Sequence, residues 1–225
     1  MKIGILLTGH PPEEIAAGER YDAYFQRLLG KEDFTYVTYS VVDGEMPLAP
    51  DAADGWLITG SKHGAYEPHP WIPPLEAFIR ACYSARVPMI GVCFGHQIIA
   101  QAMGGKVAKF DGGWSVGRTE YQIDGESVAI NAWHQDQVVE RPETATLIGS
   151  SDFCENAALL YDDMMLTIQP HPEYADEFID GLIKYRGKGV VDPKLLKAAR
   201  AEMGKPNNRL DFGKRMTDFF KKERT

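Results

Sequence analysis

Two short stretches hold residue types that can do chemistry together. In GVCFG, Gly91 to Gly95, a cysteine stands between two glycines at the point where an apolar run gives way to a helical pattern. A tight strand-to-helix turn needs small residues two before and two after its apex, and it holds the apex residue in a strained, accessible conformation. The helix that follows would turn its N-terminal N–H groups and partial positive charge toward the sulfur, favouring a thiolate and offering a donor to a developing oxyanion. A cysteine ending an apolar run is also a common small core residue, so the nucleophile reading needs a base and an acid to orient it. IQPHPEY supplies His171 and, two residues on, Glu173. Pro172 fixes their relative direction, and alternation at a strand end would put the two side chains on one side. His69 in EPHPWI shares the His-Pro pair but lacks the acid, and reads as a capping or surface histidine beside a turn.

The surrounding pattern supplies elements to position them. Short apolar runs, KIGILLTG, FTYVTYSVV, GWLITG and VPMIGV, alternate with the helical patterns AYFQRLLG, WIPPLEAFIRACYSA and HQIIAQAMGG. That alternation predicts βαβ units and an α/β fold: a doubly wound, mostly parallel sheet with helices on both faces. VGRTEYQIDG, ESVAINAWH, ATLIGSSD, NAALLYDD and MMLTIQPHPE read as strands and hairpins that complete the sheet in antiparallel fashion. Beyond Glu173 the chain turns helical and charged, punctuated by Gly187, Gly189, Pro193, Gly204 and Pro206. The expected organisation is one domain over residues 1–180 and a helical C-terminal extension over 181–225 packed on it, with a partner surface as the other reading of those amphipathic helices.

A formal net charge of −8 argues against a nucleic-acid or anionic membrane surface. Three cysteines without a CxxC pair suggest neither a disulfide framework nor a structural zinc site, and fit a reducing compartment. The N-terminal apolar run meets Gly9, Glu13 and Glu14 too soon for a signal-peptide core, and no apolar stretch approaches the ~20 residues of a membrane span. A cytoplasmic location is expected.

GVCFGHQ followed later by HPEY resembles the class I glutamine amidotransferases, and the chain as a whole looks most like their stand-alone, GMP-synthase-like branch, with similarity to plant γ-glutamyl peptidases. The resemblance implies a flavodoxin-like doubly wound fold with a Cys-His-Glu triad. Carried onto this sequence, Cys93 would be the nucleophile, His171 the general base and acid, and Glu173 the residue that orients it. Phe94 and Gly60 would supply the oxyanion-hole N–H groups, although the loop after Gly60 carries Ser61, Lys62 and His63 where the family commonly has Gly-Gly-Pro. Gln97, together with His134, Gln135 and Asp136 of AWHQDQVV, would line the substrate pocket. A His134–Asp136 dyad is not expected, because His134 precedes an apparent turn and reads as a hydrogen-bonded structural histidine. Pro170 also departs from the glycine or aromatic residue usual before the histidine.

The expected activity is cleavage of a γ-glutamyl amide C–N bond through a cysteine thioester. Glutamine would be the substrate and ammonia the product, passed to a separate synthetase subunit, since a glutaminase module of this size leaves no room for a fused one. The alternative is a γ-glutamyl peptidase that releases an amino acid or amine and needs no partner. Lys62 and His63 would then either read a leaving-group carboxylate or remain solvated surface. A silent binding protein or a thiol sensor are the readings from other classes. None of these steps calls for a metal or an organic cofactor.

Overall fold

The protein is described by a computed structural model that covers residues 1–16 and 18–224. β1 (Lys2–Leu7) shows how the sheet divides its side chains. Ile3, Ile5 and Leu7 join an apolar cluster on one face, with Phe25 of α2 (Tyr21–Leu29) and Phe220 of α7 (Arg209–Lys221). Leu6 joins the opposite cluster, with Ile79 of α3 (Ile72–Ser84) and Ile98 of α4 (Phe94–Ala102). A strand buried on both faces reads as a continuous apolar run, which is why KIGILL lacks alternation. Gly4 is required by packing: a Cβ there would lie 2.1 Å from Cζ3 of the fully buried Trp56.

Among the described residues the main sheet has nine strands, in the order β2-β1-β3-β4-β11-β10-β9-β6-β7. β2 (Thr35–Ser40), β1, β3 (Gly55–Ile58), β4 (Met89–Val92) and β11 (Met165–Ile168) pair in parallel. β10 (Ala158–Tyr161), β9 (Ala145–Ser150), β6 (Ser115–Ile123) and β7 (Glu126–His134) continue it antiparallel. The sheet is therefore mixed, with a parallel half that is doubly wound and an antiparallel half built from the expected hairpins. A separate two-stranded sheet pairs β5 (Lys106–Lys109) with β8 (Asp136–Glu140). The sequence suggested a strand and turn around AWHQDQVV but not this second sheet.

The parallel half positions the chemistry. In doubly wound sheets the loops at the carboxyl ends of the strands form the ligand crevice. Gly60 follows β3, Cys93 follows β4 and His171 follows β11, so neighbouring strands deliver all three to one edge.

The C-terminal helices cover the same sheet. α1 (Glu13–Ala16) lies near α5 (Asp176–Leu182), where a Cβ on Gly181 would meet Ile15 Cγ2 at 2.9 Å. α5 runs into a π-helical turn, Ile183–Gly187. Ala199 of α6 (Pro193–Glu202) packs on Gly117 of β6, where a Cβ would lie 2.7 Å from the alanine methyl. Phe220 of α7 packs edge-on against Phe34. No helix among the described residues is long and apolar enough to cross a membrane.

Candidate active site

Cys93 sits at φ 53°, ψ −103°, a conformation that L side chains rarely adopt, immediately before α4. Backbone bonds on both sides hold it there. The Cys93 N–H donates to the Ile168 carbonyl at the end of β11 (2.9 Å), and the Gly95 N–H donates to the Thr59 carbonyl after β3 (3.2 Å). Both flanking glycines are sterically obligatory: a Cβ at Gly91 would lie 2.5 Å from the Gly95 carbonyl oxygen, and one at Gly95 would lie 2.3 Å from that of Ile58. The sequence reading of a strained elbow between two glycines therefore has its physical basis in close backbone packing. The leading N–H groups of a helix lack intrahelical acceptors, and Phe94 is the first residue of α4.

His171 Nδ1 donates to Glu173 Oε1 at 2.7 Å, with both side chains almost wholly buried. With Nδ1 so engaged, the other ring nitrogen is left for the sulfur of Cys93, which shares a cleft with His171. Burial alone would push the imidazole down, but the Glu173 carboxylate and the Cys93 sulfur outweigh it and hold it well above its ordinary value. The segment does not continue β11 as an extended strand. The Tyr174 N–H donates to the His171 carbonyl (3.2 Å), so Pro172 and Glu173 form a turn that brings the pair together. The His171 N–H donates to the Asn131 carbonyl of β7 (2.8 Å), fixing the turn to the antiparallel half.

Gly60 backs directly onto this pair. A Cβ there would meet His171 Cε1 at 3.1 Å and Cys93 Cβ at 3.8 Å, so glycine is what lets the loop after β3 approach. The Gly60 carbonyl accepts from the hydroxyls of Thr8 (3.2 Å) and Thr59 (3.1 Å), which orients that peptide.

A cleft of about 800 Å³ opens over Cys93 and His171. Its lining includes Gln97, His134, Gln135 and Asp136, so all four residues expected in the pocket are at the cleft. Hydrogen bonds hold them in place: Gln97 Nε2 donates to the Asp136 carbonyl (2.9 Å) and to Gln169 Oε1 (3.1 Å), and Gln135 Nε2 donates to the Phe110 carbonyl (3.3 Å). His134 Nδ1 donates to the Asp136 backbone carbonyl at 3.2 Å, not to its carboxylate. Burial pushes this imidazole down to about 3, with the neighbouring His171 adding to the effect. It is a neutral structural histidine, as its place in the sequence suggested. The Asp136 carboxyl is raised by burial, an effect that the neighbouring Tyr66 hydroxyl reduces.

Other contributors were not singled out from sequence. The Tyr174 ring stacks on His171, with centroids 4.0 Å apart and planes 7° apart, and Phe178 stacks on Tyr174 at 4.2 Å. HPEY contains that tyrosine, but a turn, not a period, brings it over the imidazole. Trp114 and Trp133, with centroids 6.0 Å apart, and Lys109 also line the cleft. Lys62 and His63 lie at the cleft too, and the loop after Gly60 gathers His63, Glu67 and His69.

A strained cysteine elbow and a buried His-Glu pair thus meet at the carboxyl ends of neighbouring parallel strands, β4 and β11. The glutamine amidotransferase class-I family model matches residues 40–180. The chain belongs to that family. Among its relatives, gamma-glutamyl peptidase 4 of Arabidopsis thaliana is 33% identical over 221 residues, covering 89% of this chain and 88% of the relative. Gamma-glutamyl peptidase 2 of the same plant is 31% identical over 212 residues, 86% of each chain. The fold also matches a solved glutamine amidotransferase from Thermotoga maritima, with a TM-score of 0.74, 20% identity and 99% of both chains covered.

Proposed function

We propose that this protein hydrolyses γ-glutamyl amide bonds through a cysteine thioester, acting on γ-glutamyl peptides. The observation that carries this reading is the arrangement around the elbow: Cys93 strained at φ 53° in the same cleft as His171, which Glu173 holds at 2.7 Å. Cys93 attacks the γ-carbonyl, and the N–H groups of Gly60 and Phe94 receive the oxyanion. His171 protonates the departing nitrogen as the thioester forms, then takes a proton from the water that releases glutamate. Glu173 keeps the imidazole in register and stabilises its charged form, and Tyr174 covers its face.

The pocket residues divide the labour of recognition. Asp136 and Gln135 face the cleft and receive the α-amino end of the γ-glutamyl group. Gln97 and neutral His134 hold the Asp136 backbone in place and supply no charge of their own. The lining also includes Trp114, Trp133 and Lys109, and a volume of about 800 Å³ gives room for an amino acid beyond the scissile amide. That extra room, and relatives named gamma-glutamyl peptidases along most of the chain, favour a peptide leaving group over ammonia.

The second reading is a glutaminase that hands ammonia to a separate synthetase subunit. It draws support from a relative in Methanopyrus kandleri named as one of the subunits of glutamine-hydrolysing GMP synthase, 35% identical over 105 residues, 40% of this chain and 54% of the relative. Steady-state glutamate release from glutamine, γ-glutamyl dipeptides and glutathione, by wild type and Cys93→Ser, tests the two. Thiol-dependent preference for a peptide supports the first reading. Slow glutamine turnover without peptide cleavage supports the second.

A further inference from the structure

The loop that leaves Gly60 brings together three metal-binding side chains that the triad chemistry does not use. Glu67 Oε2 lies 2.7 Å from His69 Nε2 and 3.4 Å from His63 Nδ1, and all three ligand atoms lie within 4.8 Å of one another. Four-coordinate zinc with N and O ligands at about 2.0–2.2 Å sets neighbouring donors roughly 3.3–3.5 Å apart. The His63–Glu67 spacing already fits, and the His69–Glu67 contact needs to open by well under 1 Å. Two imidazoles and a carboxylate suit zinc and its transition-metal neighbours, whereas magnesium and calcium prefer all-oxygen sets.

The loop is braced around this cluster. The His63 N–H donates to Ser61 Oγ (3.1 Å), the Glu67 N–H to the Gly64 carbonyl (3.1 Å) and the His69 N–H to the Glu67 carbonyl (2.8 Å). The His69 ring stacks on Trp71, with planes 10° apart, and sits edge-on to His63 with centroids 4.2 Å apart. All three side chains are half-buried, so an ion can reach them.

We propose that His63, Glu67 and His69 form a mononuclear transition-metal site, with zinc(II) as its natural occupant, on the rim of the catalytic cleft. His63 and Glu67 both line that cleft, and three protein ligands leave a fourth position for water or for a carboxylate entering the cleft. Trp71 joins the site to the elbow, because its ring packs on Phe94 at 5.5 Å. The site stands whether or not the γ-glutamyl reading holds, since none of its ligands belongs to the triad.

Cys93 and His171 can themselves take zinc, so the test uses full-length Cys93→Ala protein. Zinc chloride is titrated against a competing chromophoric chelator, and the comparison is with His63→Ala and His69→Ala in the same background. The expected result is one zinc per chain in the parent. Each imidazole deletion should weaken it by at least the roughly 10- to 100-fold that loss of an outer-shell partner costs a metal site. Glu67→Gln, which keeps size and removes the anionic ligand, should weaken it similarly, with circular dichroism and thermal melts reporting that each variant is folded. Absence of zinc binding in the parent, or undiminished binding in the folded histidine variants, would overturn the assignment.

Discussion

His96 lies on α4, three residues past the nucleophile, fully buried, with Nδ1 2.8 Å from Thr167 Oγ1. Burial pushes its imidazole down to about 3. In the unfolded chain it titrates near its ordinary value of about 6.5. Below that pH the unfolded state binds a proton that the folded state refuses, so stability is lost as pH falls, with a slope of about 1.4 kcal/mol per pH unit for this group. Between pH 7 and pH 5 the loss amounts to about 2 kcal/mol. His96→Gln keeps a polar group near Thr167 and removes the proton site. Its own packing cost is independent of pH and cancels when the comparison is made at two pH values, as do the contributions of His134 and the carboxylates. Urea unfolding of both proteins at pH 7 and pH 5 should therefore show the variant gaining about 2 kcal/mol relative to wild type on acidification. An unchanged difference between the two pH values would refute the reasoning that His96 is held neutral by burial.

Glu173→Gln should lower turnover by on the order of 10²- to 10⁴-fold. Because the carboxylate is what holds His171 up, its removal should also move the limb of the pH–rate profile that reports this imidazole to lower pH. Gly95→Ala, whose methyl would lie 2.3 Å from a backbone carbonyl with no flexible side chain to yield, should cost about 1–3 kcal/mol or more, read as a lowered Tm, and should abolish thiol-dependent turnover. Tyr66→Phe removes the hydroxyl whose proximity favours the charged form of the Asp136 carboxylate. KM for a γ-glutamyl substrate should rise by about tenfold with kcat little changed, and a loss confined to kcat would argue against a binding role for Asp136.

Much of the site could be read before the fold was known, because its parts are local. GVCFG signals an elbow within five residues and HPEY holds base and acid within three, so both are recognisable locally, although the close approach that makes Gly95 obligatory is to Ile58 of β3. The mechanism by which His171 meets Glu173 was less legible: side-chain alternation suggested an extended strand, whereas a turn anchored to Asn131 makes the contact. Strands β5 and β8 escaped notice because KVAK is four residues long and pairs across a distance with DQVVE. The His63, Glu67 and His69 cluster has spacings of four and two that match no helix or strand face continuously. Only the folded loop, with His69 stacked on Trp71, turns those positions inward toward one another. The stacking of Tyr174 on His171 depends on the turn between them, and the pairing of Trp114 with Trp133 on the register of the β6–β7 hairpin.

The most direct test of the central claim is intact-mass spectrometry of protein mixed with a γ-glutamyl dipeptide and quenched in acid within the first turnover. Wild type should gain the mass of one γ-glutamyl group, mapped to Cys93 and removed by hydroxylamine, and Cys93→Ala should gain nothing. Glutamate release that persists in Cys93→Ala, with no adduct on wild type at any time, would contradict covalent catalysis by the elbow cysteine.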